Sequence, residues 1–210
     1  MNFPRINVKN LLFLPNGRDY AEEMYGELML LASAGKTVAV LTQCGSTPKL
    51  LPLAKRLGIE VYKNKQALQR LIFICCENVG AAVKKLLDLH AWRVKPNIIV
   101  IDLYTFVTSF AQDISKLNAD LSYLQTLVQC ISILFNLMDC LKDDRSKQGL
   151  IAYHLSPTIQ SKVFSVVVLQ NCDALLTFPQ VELISDLYYS SHTYGDFRKI
   201  VDVISLATAN

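Results

Sequence analysis

The segment from Lys95 to Phe106 constrains the fold more than any other part of this chain. At its centre, Ile98–Ile101 is an unbroken run of four β-branched residues, and Asp102 follows it directly. Such a run is typical of a strand buried on both faces of a parallel sheet. An aspartate that ends a central strand can hold the magnesium of a bound nucleotide, or it can cap the turn that follows. We favour the capping role for Asp102.

Helix and strand patterns alternate on both sides of this strand. The other strands of the alternating part are predicted at Asn10–Leu14, Thr37–Thr42, Leu71–Cys75 and Gly149–Leu155, with helices from Asp19 to Ala34, Leu51 to Gly58, Val79 to His90 and Leu121 to Leu141. The alternation predicts an α/β fold with a mostly parallel sheet and helices on both faces. No linker divides the chain, so we predict a flexible segment over residues 1–7 and a single domain over residues 8–210.

The last quarter of the chain shows a different pattern. Short apolar segments bounded by polar residues are interpreted as strands joined by turns, which predicts a C-terminal antiparallel extension of the sheet. These segments are Phe164–Leu169, Ala174–Phe178, Leu187–Tyr189 and Ile200–Leu206.

Composition narrows the class of protein. Hydrophobic residues make up 51% of the chain, above the usual soluble average, which favours a surface covered by a partner. The net charge of +3 is too small to indicate nucleic-acid binding by itself. None of the six cysteines forms a CxxC pair, which favours reduced, buried thiols. The longest apolar segment, Leu121–Leu141, contains Gln125, Gln129, Asn136 and Asp139, so we predict no membrane span.

Two segments were candidates for a phosphate-binding loop. Gly35-Lys36-Thr37 follows a predicted helix and precedes a strand, whereas a phosphate loop follows a strand and precedes a helix. We therefore interpret Gly35 as a helix cap. The first strand–turn–helix unit is in the right order, but its turn and first helical residues read Pro-Asn-Gly-Arg-Asp-Tyr-Ala-Glu over residues 15–22.

The turn over residues 15–22 lacks most of what holds phosphates. Gly17 is its only glycine, and Arg18 is the only stand-in for the usual lysine. Tyr20 stands where a small residue is needed. Asp19 and Glu22 add negative charge at the start of the helix, where it competes with phosphate. The sequence therefore predicts a vestigial nucleotide slot made of Gly17, Arg18, Gln43 and Asp102, with no cofactor bound.

The segments Gly35–Gly58, Asn97–Phe106 and Asp120–Leu155 resemble the core of RecA-type recombinases, and especially the eukaryotic recombinase paralogues. The resemblance implies a RecA-like fold over roughly residues 8–178. Gln43 stands where that family has the glutamate that activates water, and a glutamine amide cannot accept the proton. His154 and Leu155 replace the family's nucleotide-sensing pair. The family's N-terminal helical domain is absent from these 210 residues.

A small core of this kind is most similar to the subunit that pairs with a SWIM-type zinc-finger protein in Shu-type complexes. The resemblance implies a nuclear role in homologous recombination and DNA repair, including meiosis, with that protein or a recombinase paralogue as partner. It places DNA-facing loops at Thr105–Leu117 and Ser156–Lys162, where Lys116 and Lys162 are the basic residues. It also makes Phe3 a candidate for docking on a neighbouring subunit. Single-stranded DNA is expected to bind through the complex.

Two alternatives remain open. One is a RecA-like scaffold of an Elongator-type tRNA-modification complex, whose small subunits also lack nucleotide motifs. The other is an enzyme, for which the candidates are His90, His154 and His192. None of the three has a cysteine or carboxylate at ligand spacing, and no catalytic signature is present. We therefore expect a non-catalytic scaffold.

Overall fold

The strand predicted at Ile98–Asp102 lies within a single parallel sheet. In this computed structural model, the described residues are 10–15, 20–46, 50–56, 58, 65–89, 91–92, 95–113, 125, 127–137, 163–170, 176–189 and 192–209. Their strands are β1 Asn10–Phe13, β2 Val38–Gln43, β3 Leu71–Cys76, β4 Ile98–Asp102, β5 Phe164–Val168 and β6 Thr193–Tyr194. The order across the sheet is β3-β2-β4-β5-β1-β6, and every pairing is parallel. The predicted α/β fold, with a parallel sheet and helices on both faces, is confirmed.

The helices connect these strands in the expected way. They are α1 Tyr20–Ser33, α2 Leu50–Arg56, α3 Lys65–Gln69, α4 Val79–Leu89, α5 Leu103–Asp113, α6 over residues 127–137, α7 Phe178–Ile184 and α8 Phe197–Ala209, with a π-helix at Ser185–Tyr189. The three helices predicted before residue 114 form as α1, α2 and α4 within a few residues of their expected bounds, whereas α3 and α5 were not predicted. No helix among the described residues is long and apolar enough to cross a membrane.

Side chains alternate along each strand and so divide the core into two layers. One layer joins the sheet to α1, α2 and α8, with Val40 and Val100 among its strand residues. The other joins the sheet to α4, α5, α6 and α7, with Leu41 and Ile101 among its strand residues. All five residues of β4 are buried, because β4 lies between β2 and β5 and is covered on both faces.

The helix ends show two caps, and the one at Gly35 confirms the prediction. Gly35 has a φ of +89°, its N–H donates to the carbonyl of Ala32, and the N–H of Lys36 donates to the carbonyl of Leu31. This left-handed cap ends α1 before β2, so Gly35-Lys36-Thr37 is not a phosphate loop. At the start of α4, Asn78 Oδ1 accepts a hydrogen bond from the N–H of Ala81 at 2.9 Å.

The prediction for the C-terminal quarter was correct for β5 and wrong for the two segments Leu187–Tyr189 and Ile200–Leu206, while residues 174–175 of the segment Ala174–Phe178 lie outside the described residues. Phe178 begins α7, Leu187–Tyr189 belongs to the π-helix, and Ile200–Leu206 lies within α8. β6 is only two residues long and pairs parallel with β1, so the described residues contain no antiparallel extension. The physical reason is visible in α8, where the buried residues Phe197, Ile200 and Ile204 recur every three or four positions.

Some predicted elements lie outside the residues that the structure describes. These are residues 1–7, the Gly149–Leu155 strand, and the parts of the Leu121–Leu141 helix beyond residues 125 and 127–137. The single-domain assignment over residues 8–210 stays a prediction.

Candidate functional site

The candidate site lies where β2 and β4 end at the carboxyl edge of the sheet. The two strands are neighbours, so Gln43 at the end of β2 and Asp102 at the end of β4 reach the same edge. Asp102 is 1% exposed, although it is a carboxylate. A buried carboxylate is costly unless hydrogen bonds compensate for lost water, so the surroundings of Asp102 decide what the site can do.

Tyr20, the first residue of α1, supplies the main compensation. Its hydroxyl lies 2.9 Å from Asp102 Oδ1 and 3.0 Å from Oδ2, so its single hydrogen is shared by both carboxylate oxygens. The ring of Tyr20 packs edge-on against Phe13 of β1 and Tyr104 of α5, with centroid distances of 6.1 and 5.7 Å. These contacts hold the tyrosine in the space between the ends of β1 and β4.

Thr105 closes the site from the side of α5. Its N–H donates to Asp102 Oδ1 at 3.3 Å, and its hydroxyl donates to the backbone carbonyl of Asp102 at 2.8 Å. The same hydroxyl oxygen accepts from the N–H of Gln43 at 3.3 Å and lies 3.3 Å from Thr42 Oγ1. Thr105 therefore links the end of β2 to the end of β4. The Gln43 side chain turns toward Ser46 instead, whose hydroxyl lies 3.5 Å from its Oε1.

Burial dominates the electrostatics of this site. Desolvation raises the pKa of Asp102 to about 7, while the hydrogen bonds from Tyr20 and from the Thr105 backbone act in the opposite direction. The pKa of Tyr20 is raised well above its ordinary value by burial and by the neighbouring Asp102. Tyr25, on the next turn of α1, also has a raised pKa, mainly from burial and from Asp102. Tyr20 therefore stays a neutral donor, and Asp102 changes charge near neutral pH.

The start of α1 is unfavourable for an anion. Helix N-termini attract phosphates through their free N–H groups and dipole. Here Glu22 and Glu23 occupy the first turn. Glu22 forms an exposed ion pair with Arg56 of α2 at 2.7 Å. Glu23 accepts a hydrogen bond from the N–H of Phe197 at 2.7 Å and so caps α8. Both carboxylates serve helix packing, and both add negative charge where phosphate would bind.

The nucleotide-bound magnesium that the fold family implies does not fit these residues. A magnesium ligand must present a carboxylate oxygen to the metal and its waters. Both oxygens of Asp102 face the Tyr20 hydroxyl instead, and the residue is closed off from solvent. Among the residues that the structure describes, no group of three His, Cys, Asp or Glu side chains is placed to hold a metal.

The structure describes only two of the four residues predicted for the vestigial slot. Gln43 and Asp102 do meet at one edge, joined through Thr105. Gly17 and Arg18 lie outside the described residues, as do Phe3, Lys116 and Lys162. The prediction of a loop over Thr105–Leu117 is wrong for residues 105–113, because they belong to α5, which continues to Asp113.

Other predicted side chains have plain structural roles. Phe106, within the loop predicted to face DNA, is 2% exposed and packs in the core beside α4 and α6. His192 is half-buried, its carbonyl accepts from the N–H of Leu12, and its N–H donates to the carbonyl of Tyr189. His90 and His154, the other candidate histidines, fall in parts of the chain that are not described.

Tyr20 stood out in the sequence, but its pairing with Asp102 did not. The size of Tyr20 showed that the slot was altered. Its hydrogen bond to Asp102 was not evident from the sequence, because the two residues are 82 positions apart. Thr105 was missed because it was assigned to a loop. A Thr three residues after a strand-ending Asp was the available signal for a capped helix start.

Comparison with known proteins finds similarity to solved structures but no matching family model or curated sequence. No protein-family model and no curated protein sequence matches the chain. Among solved structures, the chain is similar to the crystal structure of the RadB recombinase, with 13% sequence identity and a TM-score of 0.43. The match covers 78% of this chain and 61% of that one, so the chain spans less than two thirds of the RadB recombinase structure.

Proposed function

We propose that this chain is a non-catalytic, RecA-like subunit that acts as a protein-interaction scaffold in homologous recombination. In this role it binds a SWIM-type zinc-finger protein or a recombinase paralogue in the nucleus and promotes assembly of recombinase filaments on single-stranded DNA. No nucleotide is turned over, and any contact with DNA is made through the complex.

The observation that carries the proposal is the closed pair of Tyr20 and Asp102. The tyrosine hydroxyl engages both oxygens of the carboxylate that would be the magnesium ligand. Gln43, at the end of the neighbouring strand, cannot act as a general base. Recombination is favoured over tRNA modification by the resemblance of Gly35–Gly58 to the recombinase paralogues, especially its Thr-Gln-Cys-Gly-Ser-Thr-Pro turn at residues 42–48.

The scaffold role is tested by purifying the tagged chain from its own cells and identifying stoichiometric partners by mass spectrometry. We expect a SWIM-type zinc-finger protein or a recombinase paralogue. Elongator subunits in their place would contradict the assignment to recombination. A chain that purifies alone would contradict the scaffold role itself.

Phe3 is proposed as a docking residue within the same complex. Deletion of residues 1–7 should weaken subunit association, because a short aromatic segment that inserts into a neighbour's core supplies much of the apolar contact. The matched control is Phe3→Leu in the full chain, which retains part of that contact. Unchanged association after the deletion removes Phe3 from the proposal.

A further inference from the structure

The outer face of α7 and the π-helix carries large apolar side chains in solvent. Leu183 and Leu187 are 56% and 68% exposed, and Phe178, five residues before Leu183 and so about 140° around the helix from it, is 63% exposed. Leu183 and Leu187 are four residues apart and so lie one above the other on the same face. Large apolar side chains that cluster on one surface mark an interaction site more often than scattered ones do.

An acidic row runs beside the leucines. Glu182 and Asp186 are also four residues apart, are exposed, and directly precede Leu183 and Leu187 in the sequence. Among the described residues, neither carboxylate lies within ion-pair distance of a basic side chain. From residue 163 to residue 197 the chain has four acidic residues and no Lys or Arg, although its net charge is +3. The face is therefore both apolar and locally acidic.

The face is rigidly held from behind. Val181, Ile184 and Tyr189 are buried in the core layer shared with α6. Phe135 of α6 packs edge-on against Tyr188 and Tyr189, with centroid distances of 5.8 and 5.5 Å. At the start of α7, Gln180 Oε1 accepts from the N–H of Thr177 at 2.9 Å. The backbone is thus fixed by inner contacts, and the outer side chains are not needed for them.

The neighbouring helix shows that this apolar face is local. The exposed positions of α6 and its preceding turn are polar: Gln125, Gln129 and Asn136. Among the described residues, the exposed positions of α6 are thus polar, whereas those of α7 and the π-helix include large apolar side chains. π-helical turns occur frequently at functional sites, which agrees with a binding role for this segment.

We infer that the face formed by Leu183 and Leu187, with the acidic row beside it, binds an amphipathic helix whose apolar stripe is flanked by Lys or Arg. Complementarity of shape and charge indicates this partner. Leucines spaced by one helical turn can pack against the ridge of a partner helix. The parallel row of carboxylates favours a helix with basic residues beside its apolar stripe. The inference adds a surface and a partner chemistry to the proposed scaffold role. It does not depend on the state of the nucleotide slot.

The test uses the full chain and two labelled synthetic helices. One peptide is built from Leu and Lys, with leucines at i, i+4 and i+7, and the other replaces each Lys with Glu. Binding is followed by fluorescence anisotropy at two salt concentrations. We expect the Leu/Lys peptide to bind, to weaken with salt because the flanking charges are exposed, and to be preferred over the Leu/Glu peptide.

Variants of the chain separate the apolar and charged parts of the site. Leu183→Glu with Leu187→Glu should weaken binding of the Leu/Lys peptide at least about tenfold. Glu182→Lys with Asp186→Lys should reverse the preference between the peptides. Gln129→Glu on α6 is the matched control and should change neither. Circular dichroism checks that each variant is folded; since all five substituted positions are exposed, folding should be retained.

Several outcomes would overturn the inference. They are no binding of either peptide, equal binding of both, or binding that survives loss of the two leucines. Sedimentation that shows a dimer dissociated by Leu183→Glu would assign the face to a second copy of this chain. ATP binding by the chain would contradict the proposed function but leave this face unaffected, so the two failures are distinguishable.

Discussion

Tyr20 and Asp102 form a buried pair in which each residue depends on the other. The carboxylate has two oxygens in a nearly dry environment, and the tyrosine has one hydrogen directed at both. Removing one member of such a pair costs more than the bond itself, because the remaining group is buried without its partner. The pair is therefore the point at which single substitutions report most clearly on the site.

The first prediction concerns the hydroxyl of Tyr20. Tyr20→Phe should lower the free energy of unfolding by about 2 kcal/mol at pH 8, where Asp102 is largely ionised. The loss should be smaller at pH 5, since the protonated carboxyl needs the donor less. Urea unfolding at both pH values measures the difference. Tyr104→Phe, in the same aromatic cluster, is the control and should change stability little; equal losses in the two variants would contradict the prediction.

The second prediction concerns the charge of Asp102. Its pKa is about 7 in the folded chain and 3.8 in a model compound, so between these values the folded state holds a proton that the unfolded state has lost. The stability that the Asp102 carboxyl contributes is therefore fully present below about pH 4 and falls as the pH rises toward 7. The contribution lost over this range is on the order of 4 kcal/mol.

Asp102→Asn removes this titration while retaining an acceptor for Tyr20. Its unfolding free energy should vary less than that of the wild type between pH 4.5 and 7.5. Urea midpoints across this range provide the measurement. Parallel pH profiles for the two proteins would show that folding does not shift the pKa of Asp102.

At the scale of the element, α1 and α8 are joined through one carboxylate. Glu23 accepts from the N–H of Phe197 at the start of α8, whereas the adjacent Glu22 makes an exposed ion pair with Arg56. Capping a helix N–H is worth about 1 kcal/mol, and exposed ion pairs contribute less on average. The two glutamates thus provide a matched comparison within one turn.

The third prediction follows from this comparison. Glu23→Ala should lower the free energy of unfolding by about 1 kcal/mol and speed amide exchange in α8. Glu22→Ala should have a smaller effect and leave exchange in α8 unchanged. Hydrogen exchange with mass spectrometry resolves the two. Slower or unchanged exchange in α8 after Glu23→Ala would show that the cap is not needed.

Elements differ in how far the sequence predicts them. β4 was predictable because a continuous β-branched run has few alternatives to a buried strand. α8 was not, because four of the five residues in Ile200-Val201-Asp202-Val203-Ile204 are β-branched and apolar, a composition typical of strands. Only the longer spacing from Phe197 to Ile204 indicates a helix. The cap from Glu23 also favours the helix, and it comes from 174 residues away.

At the scale of the whole molecule, the parallel sheet brings its strand ends to one edge. The order β2-β4-β5-β1 places the end of β4 near the turn after β1, which is how Asp102 and Tyr20 meet. The sequence alone indicated that Asp102 ends a strand and that Tyr20 is too large for a phosphate slot. It did not indicate that the Tyr20 hydroxyl donates to the Asp102 carboxylate, because that contact depends on the order of the strands in the sheet.

The closed pair of Tyr20 and Asp102 leaves no place for magnesium-bound nucleotide. Isothermal titration of the purified chain with ATP, with and without magnesium, tests it most directly, with Asp102→Asn as the matched variant. We predict no magnesium-dependent binding by either protein up to roughly 1 mM ATP, a level that detects even weak sites. Magnesium-dependent ATP binding by the wild type that Asp102→Asn abolishes would contradict the account.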